Sequence, residues 1–244
     1  MNLSWLSIIR IGVVQMSLGA VVVLMTATLN RLMVVELALP AVLPGLLVGI
    51  HYGVQITRPN WGLRSDMGGR RTPWIIGGMA ILGIGGVLAA ISIPIIDNSF
   101  LLGMLTSLIA YILIGIGVGA SGTSLLALLA TSTTPRRRAA AATITWLMMI
   151  AGIAITAGAT GVMLDPYSHT LLIKIVTVIS AGALALTIIA MWKVELYQSK
   201  SIPKQETSFI KGISEIWSEP KARNFAIFIF LSMTAYFMQE LILE

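Results

Sequence analysis

Six apolar stretches, each long enough to cross a bilayer, run almost without interruption from Ile8 to Trp192, and a seventh begins near Asn224. The hydrocarbon core of a membrane is about 30 Å thick and takes about 20 helical residues to span. Backbone inside lipid must satisfy its own hydrogen bonds, so stretches of this kind fold as helices. Arg, Lys and Asp are scarce within them, in keeping with a cost of about 2.5–3.5 kcal/mol for each at mid-membrane. With 57% hydrophobic and 11% charged residues, the chain reads as an integral membrane protein.

The net charge of +6 is distributed in a way that fixes orientation rather than pointing to nucleic acid. Arg10, then Arg58, Arg64, Arg70 and Arg71, then Arg136, Arg137 and Arg138, then the group from Lys193 to Arg223, all fall in alternate connections. The intervening connections hold only Arg31, Glu36, Asp97, Asp165 and Lys174. This is the positive-inside asymmetry of helical membrane proteins, and it places the basic connections and the N-terminus in the cytoplasm. Anionic lipid headgroups are natural neighbours of such connections. Cysteine is absent, which excludes disulfides and thiolate metal sites, and His51 and His169 are too far apart to make a metal-ligand pair.

The expected spans are 9–31, 38–57, 73–95, 100–131, 139–163 and 170–192, with a seventh over 224–242. The expected architecture is all-α and polytopic: a six-helix transmembrane bundle over 1–192, a cytoplasmic linker over 193–223, and a further transmembrane helix over 224–244. Within the linker, Phe209, Ile210, Ile213, Ile216 and Trp217 recur at helical spacing opposite Lys211 and Glu215, which predicts an amphipathic helix on the membrane surface. Six spans, a long linker and one more span are how a six-plus-six transporter bundle begins, so the expectation is a fragment of a protein near twice this length.

Two groups of residues carry a resemblance to known families. Gly62-Leu63-Arg64-Ser65-Asp66-Met67-Gly68-Gly69-Arg70-Arg71, between spans two and three, resembles the signature loop of the major facilitator superfamily. There Gly62, Asp66, Gly69, Arg70 and Arg71 match, while Met67 departs from the usual basic residue. Asp66 is expected to pair with Arg70 or to accept from a helix N-terminus. The resemblance implies a bundle of that superfamily's kind and a gating role for the loop. A narrower likeness rests on Leu29-Asn30-Arg31-Leu32-Met33-Val34-Val35-Glu36-Leu37, on His51 to Gln55 leading to Arg58-Pro59-Asn60-Trp61-Gly62, and on Gln239-Glu240 near the end. These are similar to the bacteriochlorophyll-delivery family of that superfamily, the PucC/LhaA type. The resemblance implies assembly of photosynthetic light-harvesting antenna complexes, with (bacterio)chlorophyll as cargo and antenna polypeptides as partners, in the inner or intracytoplasmic membrane.

The residues themselves single out span two. Gly45, Gly49 and Gly53 recur every four residues and predict a smooth ridge for a neighbouring helix. His51 and Gln55 lie roughly opposite that ridge, and Arg58 continues their face. A histidine within a membrane helix either bonds to a neighbour such as Gln55 or serves a cargo, since a neutral imidazole can ligate the magnesium of a chlorin. His51, Gln55, Arg58, Gln239 and Glu240 are therefore the candidate pigment or substrate contacts. On the outer side, Asn30, Arg31 and Glu36 sit where span one leaves the membrane, and are expected either to supply an Arg31–Glu36 pair across the short turn to span two or to make a docking or gating contact on that face.

Enzymatic chemistry is not expected, because no nucleophile with its base, catalytic carboxylate pair or phosphate-cradling loop is found. Two functions remain open. One is an assembly factor that binds or delivers (bacterio)chlorophyll; the other is a secondary transporter of a lipophilic or weakly polar solute. The scarcity of charge inside the spans favours a large apolar cargo.

Overall fold

The computed structural model describes residues 3–67, 69–195, 214 and 217–243, and of residues 67, 233 and 236–243 the backbone alone. Among the described residues every regular element is a helix. Five helices are long and apolar enough to span a bilayer, so the chain is an all-α polytopic membrane protein. Two units divide it, Met1–Ile202 and Pro203–Glu244.

The first unit is built around its first helix. α1 (Trp5–Val23) starts where the Ser4 hydroxyl accepts the Ser7 N–H. It continues through a π-helical turn at Leu24–Leu29 into α2 (Asn30–Val35), giving one run of 31 residues. Ile8, Ile11, Val14, Leu18 and Val21 recur every three or four residues and are buried, so one full stripe faces the core. Within the most apolar stretch of this run 67% of residues are buried, against 22% for the corresponding stretch of α7 (Arg138–Met163). The first helix is thus the most interior of the five long helices and α7 the least buried. Tyr111, itself buried, donates its hydroxyl to the Met25 carbonyl at 3.0 Å, inside the π-helical turn.

α5 (Thr72–Asn98) and α6 (Phe100–Ser132) form a hairpin joined by Ser99 alone. Glycines set how closely they approach. A Cβ on Gly117 would lie 2.5 Å from the Leu82 amide nitrogen, and one on Gly78 would lie 2.5 Å from that of Ser121. Only small residues permit such a contact, and dispersion between the backbones replaces side-chain packing. α5 also packs on α8 (His169–Met191), and α1 packs on α7 and α8, where Gly19 and Gly152 face the backbones of Met149 and Met16.

The second expected span differs most from its prediction. In place of one helix over 38–57 there are α3 (Val42–Val54) and a 3-10 turn at Gln55–Thr57, and a further helix, α4 (Arg58–Met67), follows directly. Ala38 takes a left-handed conformation (φ 49°), and the helix starts only after Pro40. Pro59 has no N–H to offer the Gln55 carbonyl four residues back, so the ladder tightens and the Arg58 amide takes that carbonyl instead. Because its helix is interrupted, the second stretch is not among the five long helices. The signature stretch is corrected as well: Gly62 to Met67 are helical, not loop.

In the second unit α9 (Pro220–Leu243) has 24 residues and begins four residues before the expected seventh span. The amphipathic helix expected near 207–217 falls almost wholly outside the described residues.

Candidate functional site

On the α3–α4 segment the sequence places an imidazole in the last turn of an apolar helix, and packing decides which way it faces. α3 and α4 both lie on α6. The close approach is allowed by α6, where a Cβ on Gly115 would sit 2.8 Å from the His51 carbonyl oxygen and 2.9 Å from Val54. The face of α3 that carries His51 is therefore turned inward. Its ring is 2% exposed, with Nε2 2.7 Å from the Gln55 amide nitrogen. With that amide donating, Nε2 accepts through its lone pair and Nδ1 carries the hydrogen, buried with no partner. Tyr52 meets the ring edge to face at 5.0 Å. Arg58 follows on the exposed side of α4, with its stem beside Gly119.

Among the described residues, a Cβ on Gly45, Gly49 or Gly53 would meet nothing within 4 Å. Among the described residues, the small residues that bring α3 close to another helix belong to α6.

At one end of the bundle Arg71 gathers the basic connections. It is 5% exposed. Its Nε and Nη2 donate to Asp66 Oδ1 at 3.0 and 2.6 Å, and its Nη1 donates to the Ala127 carbonyl at 3.1 Å and to Thr131 Oγ1 at 2.5 Å. Glu195, just past α8, accepts the Arg71 and Thr72 amides at 2.5 and 2.9 Å. Its carboxylate thus satisfies two free donors at the N-terminus of α5, where a negative charge is favoured. One arginine and one glutamate join α4, α5, the end of α6 and the end of α8.

The expected Asp66 partner is thereby corrected from Arg70 to Arg71. Gly69, at φ 68°, turns the chain so that Arg70 points to solvent and Arg71 points back. Gly62 brings α4 close to α6, where a Cβ would lie 3.4 Å from Thr123. Glu195 was not among the expected residues; its signal is an acid two residues past Lys193, directly at the end of the sixth apolar stretch.

At the opposite end, Arg31 and Glu36 form no ion pair among the described residues. Five positions on a helix amount to about 140° of rotation, which sets the two on different faces. The contact found there is His169 Nε2 to Asp97 Oδ2 at 3.7 Å, with the Tyr167 hydroxyl at 2.8 Å from His169 Nδ1. Burial first, then the carboxylates of Glu36 and Asp97, push the Tyr167 hydroxyl up to about 12. Asn30 begins α2 and is half-buried. The side chains of Gln239 and Glu240 lie outside the described ones. No trio of His, Asp or Glu able to hold a metal occurs among the described residues.

A bundle of apolar helices, with its charge gathered around one buried arginine at one end, defines a polytopic membrane protein with a polar seam rather than a soluble active-site cleft. The chain belongs to the PUCC protein family, whose sequence model matches residues 28–244. It is 59% identical over 245 residues to the "Bacteriochlorophyll synthase 44.5 kDa chain" of Rhodobacter capsulatus, covering 100% of this chain and 57% of that one. It is 28% identical to a "Protein PucC" of Cereibacter sphaeroides (97% of this chain, 55% of the relative). A further "Protein PucC", from Rhodovulum sulfidophilum, is 27% identical (97% and 56%). The chain spans about half the length of these curated relatives. The expectation of no enzymatic role is overturned by the first of them, whose name makes it one chain of a synthase. A search for a self-contained catalytic constellation is blind to a chain of that kind, because one chain of a larger enzyme need not carry such a constellation.

Proposed function

We propose that this chain serves the supply of (bacterio)chlorophyll to light-harvesting antenna complexes, binding or delivering the pigment within the membrane and working beside the machinery that makes it. The observation that carries the reading is identity of 59% along the whole chain with a relative named for bacteriochlorophyll synthesis, together with membership of the PUCC family. The proposed partners are antenna polypeptides and membrane lipid. The proposed setting is the inner or intracytoplasmic photosynthetic membrane, with the N-terminus and the Arg71 end in the cytoplasm, as the positive-inside asymmetry favours.

His51 is the proposed pigment contact. The nitrogen suited to meet a magnesium ion is Nε2, and Gln55 covers it. Ligation therefore requires Gln55 to turn aside, and the two side chains have opposite roles. After purification from a pigment-making host, the protein is expected to carry chlorin absorption. His51→Ala lowers the retained pigment, and Gln55→Ala raises it or leaves it unchanged. Colourless protein, or a colour indifferent to both changes, sinks the pigment reading. A second reading, secondary transport of a lipophilic solute, is favoured by the Asp66–Arg71 seam in the signature stretch, and solute uptake by pigment-free vesicles would support it.

A further inference from the structure

The end of α8 carries a cleft that the pigment reading leaves unused. Arg10, near the start of α1, reaches across to donate from Nε to the Ala190 carbonyl at 2.9 Å and from Nη2 to those of Ile189 (3.3 Å) and Trp192. These are the last carbonyls of α8, which attract a cation. Three of the guanidinium's five N–H groups are thereby fixed, and both on Nη1 remain without a partner among the described residues. Lys193 follows in a left-handed conformation (φ 58°) and has no ion pair among the described residues.

Arg10 and Lys193 line a cleft of about 550 Å³ together with Ile188, Ile189 and Trp192. No acid is among these residues. Ile189 and Trp192, at the end of α8, are 67% and 65% exposed on its outer surface. We infer that this cleft seats an anionic phospholipid, its phosphate between Arg10 Nη1 and Lys193, its acyl chain along Ile188 and Ile189, and its glycerol level with the Trp192 ring. The charge asks for an anion, and the apolar wall asks for an anion attached to hydrocarbon. Tryptophan belongs at the depth where these two meet. Basic clefts between membrane helices are a recurring setting for acidic lipid heads. A soluble anion would leave the isoleucine wall unused.

The test is native mass spectrometry of the full chain released from detergent with phosphatidylglycerol or phosphatidylcholine of the same acyl composition. Phosphatidylglycerol adducts are expected to be retained about fivefold more than phosphatidylcholine adducts, as one basic contact near the surface supplies. Lys193→Gln brings the two lipids level; it removes no hydrogen bond within the described protein, so its folding is not at issue. Arg136→Gln, a basic residue outside the cleft, leaves the preference intact. Equal retention of the two lipids in the native chain overturns the proposal. So does an equal loss in both variants, which marks a diffuse charge effect. Displacement of the lipid by inorganic phosphate alone marks a free-anion site and overturns it too.

Discussion

The two ends of the bundle hold their charges by different means. At one end Arg71 is buried and makes four hydrogen bonds to three acceptors on two other segments, and Glu195 reaches back to cap α5. At the other, Asp97 and His169 approach to 3.7 Å with side chains 64% and 37% exposed, and Arg31 and Glu36 do not pair. A buried cation must have every donor answered, because water cannot answer them, so its partners are drawn from several elements and tie these together. A rim charge keeps its water and exerts little force on the fold. The first end is a joint; the second is a surface.

The sharpest way to break this contrast is Arg71→Ala, which removes four charge-assisted hydrogen bonds that join α4, α5 and the end of α6 and is expected to cost about 3 kcal/mol in detergent unfolding. A loss below that of a rim charge would erase the distinction. Next comes Gly117→Val, which drives a side chain into the Leu82 backbone and is expected to cost about 2–3 kcal/mol. Gly49→Ala on the open ridge is its control, expected to be neutral or slightly stabilising as helix propensity rises by up to about 1 kcal/mol. Glu195→Gln keeps the shape but weakens two amide contacts, for about 1 kcal/mol in the same assay.

The smallest effects belong to the rim. Asp97→Asn is expected to change stability by less than about 1 kcal/mol. Tyr167 supplies the pH arm. Its hydroxyl ionises near 10 when unfolded and about 12 when folded, so its contribution is complete below pH 10 and disappears as pH rises towards 12. Tyr167→Phe should flatten that part of the alkaline unfolding curve, and an unchanged curve would remove the tyrosine from the account.

What the sequence made legible follows from physics that acts locally. Spans three to six lie within three residues of their expected ends, because long apolar runs closed by Pro73, Asp97-Asn98-Ser99 and Asp165-Pro166 permit few alternatives. The break near the end of the second span was not legible, since one proline at 59 redirects a hydrogen-bond ladder that hydropathy does not register. The choice of Arg71 over Arg70 depends on the φ of Gly69, and the reach of Glu195 spans more than a hundred residues of chain. His51 and Gln55 were legible as a pair from their spacing; that α6 supplies the glycine against them was not. Periodicity says which residues share a face and is silent on what covers it.

The π-helical turn at Leu24–Leu29 sets how the first helix reaches the far side of the membrane. Absorbing one extra residue there rotates everything beyond it by about 100° relative to an uninterrupted spiral. Leu32 and Met33 are buried in the rotated setting, while Arg31 faces out. Removing a single residue from this turn would swing that outer tip around its own axis, carrying Met33 away from the core. The tip's orientation is thus a matter of phase, written into one widened coil and pinned by the phenol of Tyr111.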